Sequence, residues 1–351
     1  MLLHITHTTR YHYAPQVETA QHMAHLLPRS LPSQTVRATE LVISPSPHAR
    51  SDSVDAFGNV RTFFSLPQPH EVMLIEARST VDTHFMDYPP ENAQLTPAWE
   101  NVRHHFLYHS GSAWDAATEY VFASTYVEPH PDFADYARSS FMPARPVLLA
   151  AVELMSRIHQ DFTYASASTD INTPALEALE RREGVCQDFA HILLSCLRTQ
   201  GLAARYVSGY LLTEVPEGQT RLIGSDASHA WVSVYVPDAL PDGHEGHKLG
   251  LLATQGQWFD LDPTNNRWGL NSPGIDYVTL ALGRDYADVS PVRGVIHGGA
   301  SHTLDVGVTV QPATELAAKL ATAMGGQKQT QTQTQSQSQY QSQSQNQSSK
   351  L

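Results

Sequence analysis

The chain has two cysteines, Cys186 and Cys196, and only the first has the surroundings of a nucleophile. Cys186 follows Gly184-Val185 and leads into the apolar run Phe189-Ala190-His191-Ile192-Leu193-Leu194. That pattern predicts a buried helix with Cys186 at its N-terminus. Free backbone N–H groups and the helix dipole favour a thiolate there. Gly184 would let the backbone turn tightly and admit a substrate closely. A nucleophilic cysteine needs a base, usually His, and the His needs an orienting carboxylate or amide. His229 opens the strand-like run Ser228–Val236, and Asp262 ends the run Gln257–Asp262. If those strands pair as neighbours, His229 and Asp262 meet at one sheet edge, against which the helix N-terminus can pack. Asp260 lies two residues before Asp262 and shares its strand face. Alternation therefore leaves both acids open.

Other residues carry plainer readings. Cys196 lies about 15 Å further along the same helix, too far to pair with Cys186, and reads as core. Asp188 suits a helix start, where the dipole stabilises an acid; it and His191 are left out of the catalytic set. His104, His105 and His109, and His244 with His247, lack the partner ligands of a metal site. Trp231 and Trp258 read as core or cleft wall.

The elements that must position these groups follow from periodicity. Val147–Phe162 places apolar residues at helical spacing. Thr173-Pro174 starts a second helix, with Thr173 as N-cap and Pro174 first in the helix. The Cys186 helix ends at Gly201, a natural C-cap. Strands Ala204–Leu212, His229–Val236 and Gln257–Asp262 come next, an α+β order. Upstream, Leu3–Tyr13 and Val72–Val81 alternate with period two, and Asp55-Ala56-Phe57-Gly58-Asn59 marks a turn. Four stretches result: a small antiparallel β domain over 1–85; a proline-broken linking region with short helices over 86–145, including one over Ala113–Phe122; a core with a closing strand over 146–312; and 313–351. In the last stretch 313–324 is helix-compatible. Residues 325–351 read as a disordered tail, since Gln alternates mainly with Ser and Thr and leaves no apolar face.

Composition narrows the function. The 351 residues suit about two domains. Net charge is −13, which opposes nucleic-acid binding and docking on anionic membrane. No apolar run reaches the ~20 residues of a membrane helix. The first residues lack the basic start and apolar stretch of a signal peptide, so the chain reads as cytoplasmic. Two cysteines make no disulfide framework.

Taken together, Gly184-Val185-Cys186-Gln187-Asp188-Phe189-Ala190-His191, Ala203–Tyr210, Ser228-His229-Ala230-Trp231-Val232 and Asp262-Pro263-Thr264-Asn265 resemble the bacterial transglutaminase-like superfamily. Residues 4–13, Leu27-Pro28-Arg29 and Asp55–Asn59 look like the N-terminal β domain of that bacterial branch, and Gly283–Pro291 like its post-core segment. The likeness covers about residues 1–312. It implies a papain-like core, a helix-borne Cys against an antiparallel sheet, behind a small antiparallel β domain. It matches Cys186 to the nucleophile, His229 to the base and Asp262, directly before Pro-Thr, to the orienting acid. The oxyanion would be held by the Cys186 backbone N–H and one upstream side chain, for which Tyr164 is the candidate.

The chemistry so implied is acyl transfer through a thioester, with no metal or cofactor, on a peptide or protein amide. Hydrolysis is favoured over cross-linking, because water is always present and no amine pocket is legible. The alternative outside enzymology is a non-catalytic binding module of the same fold; the intact Cys, His and Asp set argues against it. Because transglutaminases use Gln as acyl donor, the eleven Gln between 327 and 347 would also permit self-modification at Lys328 or Lys350. The plainer reading of the tail is a neutral repeat.

Overall fold

The computed structural model describes residues 1–108, 110, 114–165, 173–213, 228–238, 256–299 and 301–316. The chain opens with five strands: β1 (Leu2–Leu27), β2 (Gln34–Ser44), β3 (Ala49–Val54), β4 (Val60–Leu66) and β5 (His70–Thr83). Short helices α1 (Trp99–His105) and α2 (Pro131–Ala137) precede the longer α3 (Val147–Asp161). Then come β6 (Thr163–Tyr164), α4 (Ala175–Arg181), β7 (Glu183–Gly184) and α5 (Cys186–Thr199). Strands β8 (Ala204–Leu211), β9 (Ser228–Val236), β10 (Gln257–Asp262), β11 (Arg267–Leu270) and β12 (Tyr277–Gly283) follow. The short α6 (Tyr286–Val289) leads to β13 (Val292–Gly298) and β14 (Ser301–Pro312).

The alternation of Leu3–Tyr13 is the start of a longer strand. β1 is the spine of a seven-stranded antiparallel sheet. Its first half pairs with β5 on one side and β14 on the other; its second half pairs with β4 and β13. Strands β13 and β14 thus leave the 146–312 stretch and return to the first sheet. Local periodicity carries no information on such long-range pairing.

The second sheet runs β11-β10-β9-β8-β12, all antiparallel. Against it lies α5, buried at every position from Asp188 to Arg198. Its apolar faces join α2, α3, α4 and the sheet in one core. Truncating the fully buried Leu193 to Ala would cost about 2–5 kcal/mol. The helix ends as its sequence demands. Gly201 adopts φ +78°, donates to the Arg198 carbonyl at 2.9 Å, and is followed by a Leu202-to-Leu197 bond at 3.2 Å. At α4 the start falls one residue late: Pro174 is the N-cap and Ala175 the first helical residue.

Residues 86–145 do more than link. Val102, Phe133, Ala137 and Phe141 are buried in the core around α5. The helix expected over Ala113–Phe122 is a 3₁₀ turn at Ala116–Val121. At the far end, 313–316 are helical; the rest of the expected 313–324 helix and the 325–351 tail lie outside the described residues.

The two sheets meet through Leu3, Ile5, Val81, Tyr210, Val278 and Leu280. Edge strand β12 is closed by two carboxamides from the first sheet. Gln34 Nε2 donates to Thr279 O at 2.7 Å while its Oε1 accepts from Thr279 N at 2.8 Å. Asn59 does the same at Leu282, at 2.7 and 2.8 Å. Each buried amide replaces one residue of a missing neighbour strand, which satisfies an edge that would otherwise be buried unpaired.

Candidate active site

Two β9 residues and two β10 acids face one another in register. Ser233 is opposite Asp260, and both acids project from the same face. Asp260 accepts from the Trp231 indole at 2.8 Å and from the Ser233 hydroxyl. Asp262 accepts from His229 Nε2 at 2.7 Å. The acid that faces the histidine is therefore Asp262, and Asp260 serves the row behind it.

Asp262 is fully buried and saturated with donors. Besides His229, Oδ2 accepts from Asn265 Nδ2 and from the Tyr277 hydroxyl, each at 2.7 Å, while Oδ1 accepts from Thr264 N at 2.9 Å and Asn265 N at 3.3 Å. Burial would raise its pKa, but these hydrogen bonds and the His229 charge outweigh it and hold the carboxyl below its usual range. The turn that supplies Thr264 and Asn265 is tied to α3 by His159 Nδ1, 3.2 and 3.0 Å from the Pro263 and Thr264 carbonyls.

His229 is only 9% exposed. Burial alone would lower its pKa; hydrogen bonds to Asp262 and Cys186, with the charges of both, push it up to about 10. With Nε2 committed to Asp262, Nδ1 is the nitrogen left for the sulfur. The ring is walled by Trp231 and Tyr277, each at 6.0 Å centroid distance. Gly209 of β8 lies opposite His229. A Cβ there would sit 2.4 Å from the Trp231 ring and 2.2 Å from Val278 O, so only glycine lets this wall close.

Cys186 is half-buried at the first position of α5. Val185 N donates to Asp188 Oδ2 at 2.8 Å, so Asp188 caps the helix that carries the thiol. The space above Gly184 is not free for a substrate: a Cβ there would meet Asp188 Cβ and Oδ2 at 2.8 Å. Gly184 makes room for the cap. Tyr164 lies beside Gly184 in the β6–β7 ladder, with its side chain 54% exposed. Its phenol is raised by partial burial and by the Cys186 and Asp188 charges.

The remaining candidates separate from this group. Cys196 is fully buried, and burial pushes its thiol up to about 12. His191 is buried between Tyr126 and Tyr206, accepts from Tyr286 N at 3.3 Å, and is lowered to about 3 by burial and by Arg198. His105 pairs with Asp115 at 2.9 Å. Among the described residues no three His, Cys, Asp or Glu side chains converge as metal ligands; His109, His244 and His247 lie outside them. Trp231 is core, and Trp258 lies under the Arg205 guanidinium at 3.9 Å. No local sequence signal marks Tyr277 or Gly209 as part of this group. Asn265 was visible in the Asp-Pro-Thr-Asn run, but its contact with the acid was not.

Comparison with known proteins agrees with this architecture. Residues 3–82 match the bacterial transglutaminase-like N-terminal region, and residues 134–263 match the transglutaminase-like superfamily. An uncharacterized protein of Mycobacterium tuberculosis is 40% identical over 316 residues, 88% of this chain and 92% of its own. A protein-glutamine gamma-glutamyltransferase of Pseudomonas aeruginosa is 28% identical over 124 residues, 34% of this chain and 16% of its own. The crystal structure of a proposed cysteine protease from Cytophaga hutchinsonii superposes with TM-score 0.63 at 19% identity, over 89% of this chain and 91% of that one, a likeness of fold.

Proposed function

The chain belongs to the transglutaminase-like superfamily, and from that premise we propose that it is a thiol enzyme acting on amide bonds of peptides or proteins. The observation that carries the reading is His229, hydrogen-bonded to Asp262 and close enough to Cys186 for the thiol to help raise its pKa. In the proposed reaction the Cys186 proton already rests on His229, which its partners keep charged, and the Cys186 thiolate attacks the amide carbonyl carbon. The oxyanion is held by the Cys186 backbone N–H, with the Tyr164 phenol as a second donor. The C–N bond then breaks as His229 protonates the departing nitrogen, leaving a thioester on Cys186. Water, deprotonated by His229, attacks the thioester, releases the acid and restores the thiol. Asp262 keeps the imidazole oriented and stabilises its charge throughout.

Hydrolysis is the first outcome proposed, since no amine-binding group is evident among the described residues at the site. A primary amine in place of water gives transamidation, the second outcome, which the similarity to the Pseudomonas aeruginosa protein supports. A free thiol at Cys186 fits a reducing, cytoplasmic setting, and that location is part of the proposal.

The test is ammonia and amine release from glutaminyl and peptide substrates, with and without a primary amine such as cadaverine. The reading predicts turnover with a trapped Cys186 thioester in the intact mass, lost in Cys186→Ala. Absence of any acyl adduct across a broad peptide library would overturn it.

A further inference from the structure

A second site lies in the first sheet, away from the thiol. Between β1 and the β13–β14 pair is a cavity of about 180 Å³ lined by Tyr11, Tyr13, His22, Arg293, Gly294 and His302 among others. Its walls are ring faces. Tyr11 and Tyr13 are parallel within 6° at 6.0 Å, and His302 lies 5.7 Å from Tyr11 and 6.1 Å from Tyr13. His22 stacks on Phe64 at 5.2 Å. Three buried polar atoms there have no hydrogen-bond partner: the Tyr13 hydroxyl and both ring nitrogens of His22. Tyr13 and His22 are each only 6% exposed. Gly294 pairs with His22 across the ladder, and a Cβ there would fall 2.2 Å from His22 Nδ1. Nδ1 thus lies against β13, and Nε2 and the Tyr13 hydroxyl are the other unpartnered polar atoms of the residues that line the cavity.

These features select a ligand class. The volume fits one six-membered ring, since a dry cavity of ~150 Å³ accepts benzene. Stacked walls favour a planar aromatic. The orphaned hydroxyl and imidazole call for a polar substituent. Burial and the neighbouring His70 hold the His22 imidazole neutral, at about 4, so His22 brings no charge to an anion. Arg293 is turned to the Ala287 carbonyl at 3.2 Å and Met23 Sδ at 3.7 Å. Among the described residues no third metal ligand converges.

We propose that this cavity is a binding site for a single uncharged aromatic ring bearing a hydroxyl or amide, hydrogen-bonded by Tyr13 and His22. The ring is either a free small molecule or a tyrosine side chain of a peptide; the chemistry is shared. The site is independent of the thiol chemistry proposed above and stands or falls without it.

The experiment titrates the full chain with phenol, with N-acetyl-tyrosinamide and with toluene, following histidine ring resonances. Expected are saturable millimolar shifts of His22 and His302 with phenol, at least fivefold weaker in His22→Phe and in Tyr13→Phe, and no such loss for toluene. Comparable binding of N-acetyl-tyrosinamide assigns the site to a peptide side chain; phenol alone assigns it to a free small molecule. His22→Phe should melt no lower than wild type, because it removes unpartnered polar atoms. That pairing of retained stability with lost binding is what a merely structural histidine would not show. No saturable shift with phenol or N-acetyl-tyrosinamide, or toluene binding as tightly as phenol in wild type, would overturn the proposal.

Discussion

The two sheets bury histidines to similar depth and leave them in opposite states. In the first sheet His7 and His22 are 1% and 6% exposed, and burial lowers each to about 4. In the second, His229 is 9% exposed and is raised to about 10. Depth does not account for the difference; partners do. His7 bonds the neutral Tyr210 and Thr9 hydroxyls at 2.9 and 3.1 Å, and His22 stacks on Phe64. His229, by contrast, faces a buried carboxylate and a cysteine. His191, in the same core as His229 but among tyrosines, follows the first sheet and not its neighbour. Desolvation makes a histidine neutral unless a closely hydrogen-bonded acid repays it: Asp262, 2.7 Å from His229, does so, while Asp55, 3.7 Å from His25, leaves that histidine lowered.

Removing the acid should break the contrast most severely. Asp262→Asn leaves the shape of the site but withdraws the charge opposite His229, and turnover is expected to fall by about 10³–10⁴, read as initial rates on the peptide substrates. Asp260→Asn, one row behind, should leave turnover within about threefold while lowering stability by about 1–3 kcal/mol through Trp231 and Ser233.

The next effect concerns pH. His7 and His22 have folded pKa values below the unfolded 6.5, so their full contribution is present above that pH. It is lost as pH falls from 6.5 toward 4, because only the unfolded chain takes up the protons. The loss is of order 3 kcal/mol per histidine. His229 has the reverse sign: its contribution is present below 6.5 and is lost as pH rises toward 10. Urea midpoints should therefore drop between pH 7 and pH 4.5, and His22→Phe should drop less.

Closing β12 is a smaller effect. Asn59→Ala removes an amide that bonds both polar groups of Leu282, at an expected cost of about 2–3 kcal/mol, measured by denaturant unfolding. Gln34→Ala should cost a similar amount.

The smallest change is Tyr277→Phe. It deletes one of the five hydrogen bonds on Asp262 and leaves the ring wall. Turnover should fall about tenfold or less, with the alkaline limb of the pH–rate profile moved to lower pH as His229 loses support; an unchanged profile would make Tyr277 purely a wall.

Much of the candidate site was legible in sequence because its pattern is local. A glycine ahead of a helix-borne cysteine, a histidine at a strand start and an acid before Pro-Thr are short-range patterns. The choice between Asp260 and Asp262 was not available from alternation, since both share a face; it turns on register, which sets Asp260 opposite Ser233. Tyr277 left no local mark because it reaches Asp262 from another strand. The glycine before the thiol suggests substrate access in sequence, but its missing Cβ accommodates Asp188. In the fold, Asp55–Asn59 was visible as a turn, yet that Asn59 docks on β12 depends on contacts over two hundred residues away. The return of β13 and β14 to the first sheet was equally beyond periodicity.

The most direct test is the alkylation rate of Cys186 by iodoacetamide at pH 6.5, followed by intact mass in wild type, His229→Ala, Asp262→Asn and Asp260→Asn. The account predicts that His229→Ala and Asp262→Asn slow labelling at least tenfold while Asp260→Asn does not. Equal rates in all four proteins would mean that the cysteine does not draw on the histidine and its acid, and would contradict the account at its centre.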